Sequence, residues 1–181
     1  MADSNITKRA LALALKELIK THPIEKISVG NICDVCGMNR KSFYYNFQDK
    51  YELINWIYYT EFLKTALENP INDSRELLDA ICCYFYENRE FYAKTFRIEG
   101  QNSFSDYFCS VVHRILAEQL SDIFPAEDPI DPYAEFYTDA IVCAIKKWLS
   151  KKDCIPPLEF SQFIQEAILG LSQRAAETRI S

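Results

Sequence analysis

Cys33 and Cys36 are spaced as Cys-x-x-Cys, which can supply half of a zinc site or a dithiol redox pair. Neither chemistry is completed nearby. Zinc needs about four ligands, and the next candidates, Cys82, Cys83, Cys109 and His113, lie on distant segments. A thioredoxin-like pair belongs beside a βαβ pattern, and none is visible. Cys109 and His113, four residues apart, can share a helical face as nucleophile and base, but no third partner or oxyanion device accompanies them. The densest chemistry is instead "NRKSFYYNF", residues 39–47. Arginine and lysine suit guanine edges and phosphates, hydroxyls suit phosphates, and a tyrosine ring suits a thymine methyl or a sugar. Asn39, Arg40, Lys41, Ser42, Tyr44 and Tyr45 therefore read as a nucleic-acid contact, with no catalytic residue, metal or cofactor expected.

Such a contact works only if short elements hold those side chains outward. Ser28 is a plausible N-cap for a helix over residues 29–36, with Ile32, Val35 and Cys36 as its inward positions. Gly37 suits the left-handed conformation that closes a helix. Asn39 can cap a second short helix through about Asn46, in which Phe43 and Phe47, four apart, face inward. Both would pack on a first helix from about Asn5 to Thr21, through Ala10, Leu11, Ala14, Leu15, Leu18 and Ile19. Two short helices joined by a Gly-containing turn on a longer one describe a helix-turn-helix, whose second helix enters the DNA major groove.

The charge distribution agrees. The net charge of -6 argues against nonspecific binding of a polyanion by the whole chain. Residues 1–50, however, carry eight basic against five acidic side chains, and residues 51–181 carry twelve against twenty-one. A basic head on an acidic body suits a polyanion partner at one end only. Seven cysteines, mostly inside apolar helical patterns, suit small buried hydrophobes in a reducing compartment. No secretory signal and no run approaching the ~20 apolar residues of a membrane helix is visible, so a cytoplasmic protein without membrane contact is expected.

Beyond Lys50 the pattern stays helical, giving an all-α protein: a three-helix head over residues 1–50 and a larger helical body over 51–181. Four glycines leave long uninterrupted segments. Asp49 can cap one continuous helix through Leu67. Two helices over 74–96 meet near Asn88, and a connector with Gly100 leads to a helix over 103–124. Others run over about 132–151, carrying Phe136, Tyr137, Ala140, Ile141, Ala144, Trp148 and Leu149, and onward from Pro156–Pro157. The middle helices mix aromatics with polar groups as a ligand pocket does, and the candidate lining is Tyr86, Arg97, Gln101, Asn102, Cys109 and His113. The wide apolar faces of the last two helices either close the monomer core or meet a second copy.

Residues 28–53 resemble the DNA-binding domain of TetR-family transcriptional regulators, whose pattern reads roughly Thr-Val-x-x-Ile-Ala-x-x-Ala-Gly-Val-Ser-x-x-x-Phe-Tyr-x-x-Phe, then Lys-x-x-Leu. Matching residues are Val29, Ile32, Gly37, Phe43, Tyr44, Phe47, Lys50 and Leu53, with Ser28 for Thr, Met38 for Val and Asn39 for Ser. Cys33 and Cys36 fall on the family's small alanine positions. By this resemblance Ser28, Ser42, Tyr44 and Lys50 would touch phosphates while Arg40, Lys41 and Tyr45 face bases, Lys41 standing where glycine is frequent. Residues 87–108 resemble a C-terminal domain of the branch that includes activators of dihydroxyacetone-kinase operons. The resemblance implies a homodimer joined by its last two helices, a palindromic double-stranded operator, and control by a small-molecule or protein effector. The two reading helices would then lie about 34–36 Å apart or a multiple of that. A helical protein-interaction module without DNA binding is the alternative.

Overall fold

The computed structural model describes residues 2–68, 74–98, 103–123 and 129–180, and every regular element among them is helical. The head holds α1 (Ala2–Thr21), α2 (Val29–Cys36) and α3 (Arg40–Asn46). The chain continues through α4 (Lys50–Tyr58), a π-helical turn (Tyr59–Leu63) and α5 (Lys64–Glu68). Then come α6 (Ser74–Glu87), α7 (Arg89–Thr95), α8 (Phe104–Ile123), α9 (Ile130–Ser150) and α10 (Pro157–Ile180).

Local chemistry sets the early helix ends. Asp49 caps α4, its carboxylate accepting from the Tyr51 and Glu52 amides at 2.8 Å each. In the head, α1 buries Leu11, Ala14, Leu15 and Ile19 in the cluster that takes Ile32 and Cys33 from α2 and Phe43 from α3. Val35 corrects the expected inward face of α2: it is 52% exposed, while Cys33 is buried. At 100° per residue, Val29, Ile32, Cys33 and Cys36 form one stripe about 100° wide, and Val35 falls outside it.

Around Tyr58 the body packs aromatic rings from four segments, with Phe85 stacked on it at 5.6 Å and Phe104 and Phe108 edge-on at 5.5 and 5.6 Å. Alongside this core α8 lies on α9 and α10 lies on α6. The expected continuous helix after Asp49 is interrupted by the π turn, and such a turn changes which residues face the core. There Glu61 reaches the Lys16 ammonium on α1 at 2.6 Å and accepts from the Tyr84 hydroxyl at 3.1 Å.

The helix α7 spans two helix ends. At its start Arg89 donates to the carbonyls of Leu149 and Lys152, each at 3.1 Å, and of Lys151 at the end of α9. At its other end Lys94 donates to the carbonyls of Ile19 at 2.6 Å and Lys20 at 3.2 Å, in the last turn of α1. Cations at helix C-termini satisfy otherwise orphaned carbonyls, so α1 is fastened to α7 by charge as well as by apolar contact.

Candidate nucleic-acid interface

The reading helix α3 is short, so its flanks must fix its direction. The N-cap Ser28 and Asn31 form a reciprocal box: Ser28 Oγ accepts from the Asn31 amide at 3.1 Å, and Asn31 Oδ1 accepts from the Ser28 amide at 2.9 Å. At the other end of α2, Gly37 has φ 67°. The Met38 amide donates to the Cys33 carbonyl at 2.9 Å and the Gly37 amide to that of Asp34 at 3.4 Å, the paired bonds of a Schellman closure. Next, Asn39 Oδ1 accepts from the Ser42 amide at 2.8 Å and caps α3.

Inside this frame Phe43 is fully buried and Phe47 nearly so. Phe47 meets Trp56 at 5.8 Å, with Lys8 Nζ 5.3 Å from the Phe47 ring centre. The opposite side of α3 carries Tyr44, 57% exposed, and Tyr45, 85% exposed, beside exposed Arg40 and Lys41. The guanidinium of Arg40 lies across α2, over Gly30. A glycine-closed first helix, a buried aromatic anchor on the second, and an outward ridge of cations and phenols are the parts of a helix-turn-helix reader.

Residues 8–57 match the family of bacterial regulatory proteins named tetR, and residues 72–170 match a transcriptional regulator C-terminal region. The chain belongs to the TetR family. Its members are DNA-binding transcriptional regulators, and no enzyme family is indicated. A relative, the HTH-type dhaKLM operon transcriptional activator DhaS of Lactococcus lactis subsp. lactis (strain IL1403), is 30% identical over 154 residues, 81% of each chain. The solved dihydroxyacetone kinase operon activator DhaS superposes with a TM-score of 0.64 at 24% identity, over 92% of this chain and 96% of that one. A TetR transcriptional regulator from Streptococcus agalactiae 2603V gives a TM-score of 0.70 at 18% identity, over 90% and 93%. At these identities the two structures speak for the fold.

Among the DNA-contact candidates of this TetR-family regulator, Lys41, Tyr44 and Tyr45 are exposed, and Arg40, also exposed, lays its guanidinium over Gly30. Ser28 and Ser42 are turned to the caps, their hydroxyls donating to Asn31 Oδ1 at 2.7 Å and Asn39 Oδ1 at 3.2 Å. Lys50 is committed inward. Its ammonium donates to the carbonyls of Ile24 at 2.6 Å, Ile27 at 2.8 Å and Glu25 at 3.3 Å, tying α4 to the turn before α2. Burial there lowers the Lys50 pKa from its ordinary value, against the opposing pull of Glu25 and Asp49.

Of the six pocket candidates four are described, and these four do not share one cavity. Tyr86 stacks on Trp148 at 6.0 Å, and Arg97 is exposed. Cys109 and His113 share a shallow depression of about 380 Å³ with Ser110, Glu135, Thr138 and Asp139. Gln101 and Asn102 lie outside the described residues. His113 Nε2 is 3.2 Å from Asp131 Oδ1, and burial raises the Cys109 thiol pKa, helped by Asp139. All seven cysteines are free, and Cys36 donates its thiol to the Ile32 carbonyl at 3.2 Å. Among the described residues no set of three or more His, Cys, Asp or Glu side chains is placed to hold a metal ion, and no helix is long and apolar enough to cross a membrane. Gly30 and Asn31 were not among the sequence candidates. For Asn31 the signal was present in Ser28-x-x-Asn31, a variant of the usual capping box with Asn in place of Glu or Gln.

Proposed function

We propose that this TetR-family regulator binds a palindromic operator as a homodimer, with residues 1–50 reading DNA and residues 51–181 dimerising and sensing an effector. The observation that carries the reading is the outward ridge of α3: two adjacent exposed tyrosines beside two exposed cations, on a helix anchored by buried Phe43. Arg40, Lys41 and Tyr45 are the base-facing set. Tyr44 and the Lys41 charge serve phosphates. Asn39, Ser42 and Ser28 hold the helix ends, and Lys50 braces the head on α4 instead of touching a phosphate.

A second copy suits the outer faces of α9 and α10. Helix α9 has two apolar sides: Ala134, Ile141, Val142, Ile145 and Trp148 are buried, while Phe136 is 63% exposed and Tyr133, Ala140 and Cys143 share its outer side. On α10, Phe163 is 60% exposed. Sedimentation of the purified chain is expected to give a dimer, and Phe136→Glu a monomer with weakened operator binding. Because a relative at 30% identity is an operon activator, activation is to be assayed beside repression. The effector, a small molecule or a protein, acts by binding one spacing of the two heads better than the other.

Gel-shift titration on DNA enriched from a random pool tests the reading. A salt-sensitive, sequence-dependent shift supports it; its absence at micromolar protein favours a protein-interaction module. Arg40→Ala is expected to relax preference at one base pair by about 1–3 kcal/mol, and Tyr44→Phe to weaken binding to all sequences alike. Identical behaviour of the two variants contradicts the assigned roles.

A further inference from the structure

Resting on the reading of Arg40 as a base contact, we propose that Gly30 is a positioning residue for it, the bare α2 backbone being the seat that aims the Arg40 guanidinium at the groove. Gly30 is buried at the second position of α2. Glycine there is not required by the backbone, because the positive-φ glycine among the described residues is Gly37. An alanine would suit a helical backbone at least as well, so what the glycine provides there is room beside α2. A Cβ at Gly30 would stand 2.6 Å from Arg40 Nη2 and 3.3 Å from both its Cζ and its Nε. The guanidinium thus fills the place a side chain would take.

Two further observations separate a seat from incidental packing. Among the described residues the Arg40 guanidinium has no hydrogen bond or ion pair to the protein, so its donors remain unspent. The first turn of α2 holds no acid, and a helix N-terminus favours anions over cations. Attraction to the first turn of α2 therefore does not explain the pose. A guanidinium held by shape alone, with its planar fork free, is prepared for a bidentate acceptor with little rotamer entropy left to lose.

The test is Gly30→Ala in the full-length protein. Its methyl group displaces only the far end of a flexible side chain, so the melting temperature is expected to stay level or rise. Operator selection from a random pool should show the preference lost at the same base pair that Arg40→Ala relaxes, by about 5- to 150-fold for complete loss of a bidentate contact. In an Arg40→Ala background, Gly30→Ala should change nothing further. An unaltered preference in Gly30→Ala, a uniform loss across all sequences, or an effect that persists without Arg40 overturns the inference. If Arg40→Ala relaxes one position and Gly30→Ala does not, the seat alone fails. If the parent protein shows no sequence preference, the DNA-reading proposal fails with it.

Discussion

Tyr44 and Tyr45 stand 57% and 85% exposed on α3, whereas Tyr58 and Tyr92 in the body are 1% and 0% exposed. The residue type is the same and the surroundings are opposite. Tyr58 stacks between Phe62 at 5.6 Å and Phe85 at 5.6 Å, and Tyr92 meets Phe85 at 4.8 Å. Tyr44 touches the buried Phe43 ring edge-on at 5.5 Å, and Tyr45 reaches past the helix into solvent. A single exposed tyrosine is ordinary. Two in succession beside free cations, on a helix whose inward side is already anchored, form a surface that awaits a partner with aromatic edges and phosphates. In one molecule, rings that bury area hold the body and rings left bare are available for recognition.

The sharpest way to break this contrast is to truncate one ring of each kind on α3. Phe43→Ala is expected to cost about 3–5 kcal/mol, the range for emptying a packed core position, and to abolish DNA binding by unfolding the head. Tyr45→Ala should leave thermal stability within about 0.5 kcal/mol, as for a surface change. It should still lower operator affinity by about tenfold, the order of one lost base contact. Chemical denaturation and gel shifts on both variants check this. A Tyr45→Ala protein that melts early, or binds the operator at full strength, would erase the distinction.

Lys50 gives a smaller effect and a second contrast, between cations used inside and cations left outside. Breaking its three bonds to carbonyls by Lys50→Met should cost at least about 1.5–3 kcal/mol, the range for a single hydrogen bond to a charged group. The variant should keep the parent's salt dependence of DNA binding. Lys41→Met should do the reverse, leaving stability unchanged and reducing the slope of log affinity against log salt by about 0.9. If Lys50→Met flattens the salt dependence instead, its ammonium leaves the carbonyls for a phosphate in the complex.

The head was legible because its instructions are local. Ser28, Gly37, Asn39 and Asp49 each act within four residues, and the observed bounds of α2 and α3 follow from them. What the sequence hid depends on partners far along the chain. Lys50 looks like a surface lysine until Ile24 and Ile27 bring their carbonyls to it, and Lys94 caps α1 across a separation of 75 residues. The two apolar sides of α9 blurred its periodicity, so exposed Phe136 and buried Trp148 read as one face. Tyr86, a pocket candidate, stacks instead on Trp148, on a helix whose crossing with α6 no spacing rule reveals. The π turn at Tyr59–Leu63 carries no glycine or proline to announce it.

The finest distinction lies within the buried rings themselves. The Tyr92 hydroxyl sits 2.7 Å from that of Tyr84, but the Tyr58 hydroxyl is buried with no hydrogen-bond partner among the described residues. Tyr92→Phe should therefore cost about 0.5–1.5 kcal/mol, the net worth of one hydrogen bond. Tyr58→Phe should be neutral or stabilising, because it removes a polar group that folding desolvates without compensation. Burial first, and then the neighbouring Tyr84 and Tyr107, push the Tyr58 pKa well above its ordinary value. A phenol whose folded pKa is raised supports the fold below the unfolded pKa of about 10 and loses that contribution as pH rises above it. Denaturation between neutral pH and pH 11 should therefore show stability falling more gently in Tyr58→Phe than in the parent. A parallel fall would mean that folding leaves the Tyr58 pKa at its unfolded value.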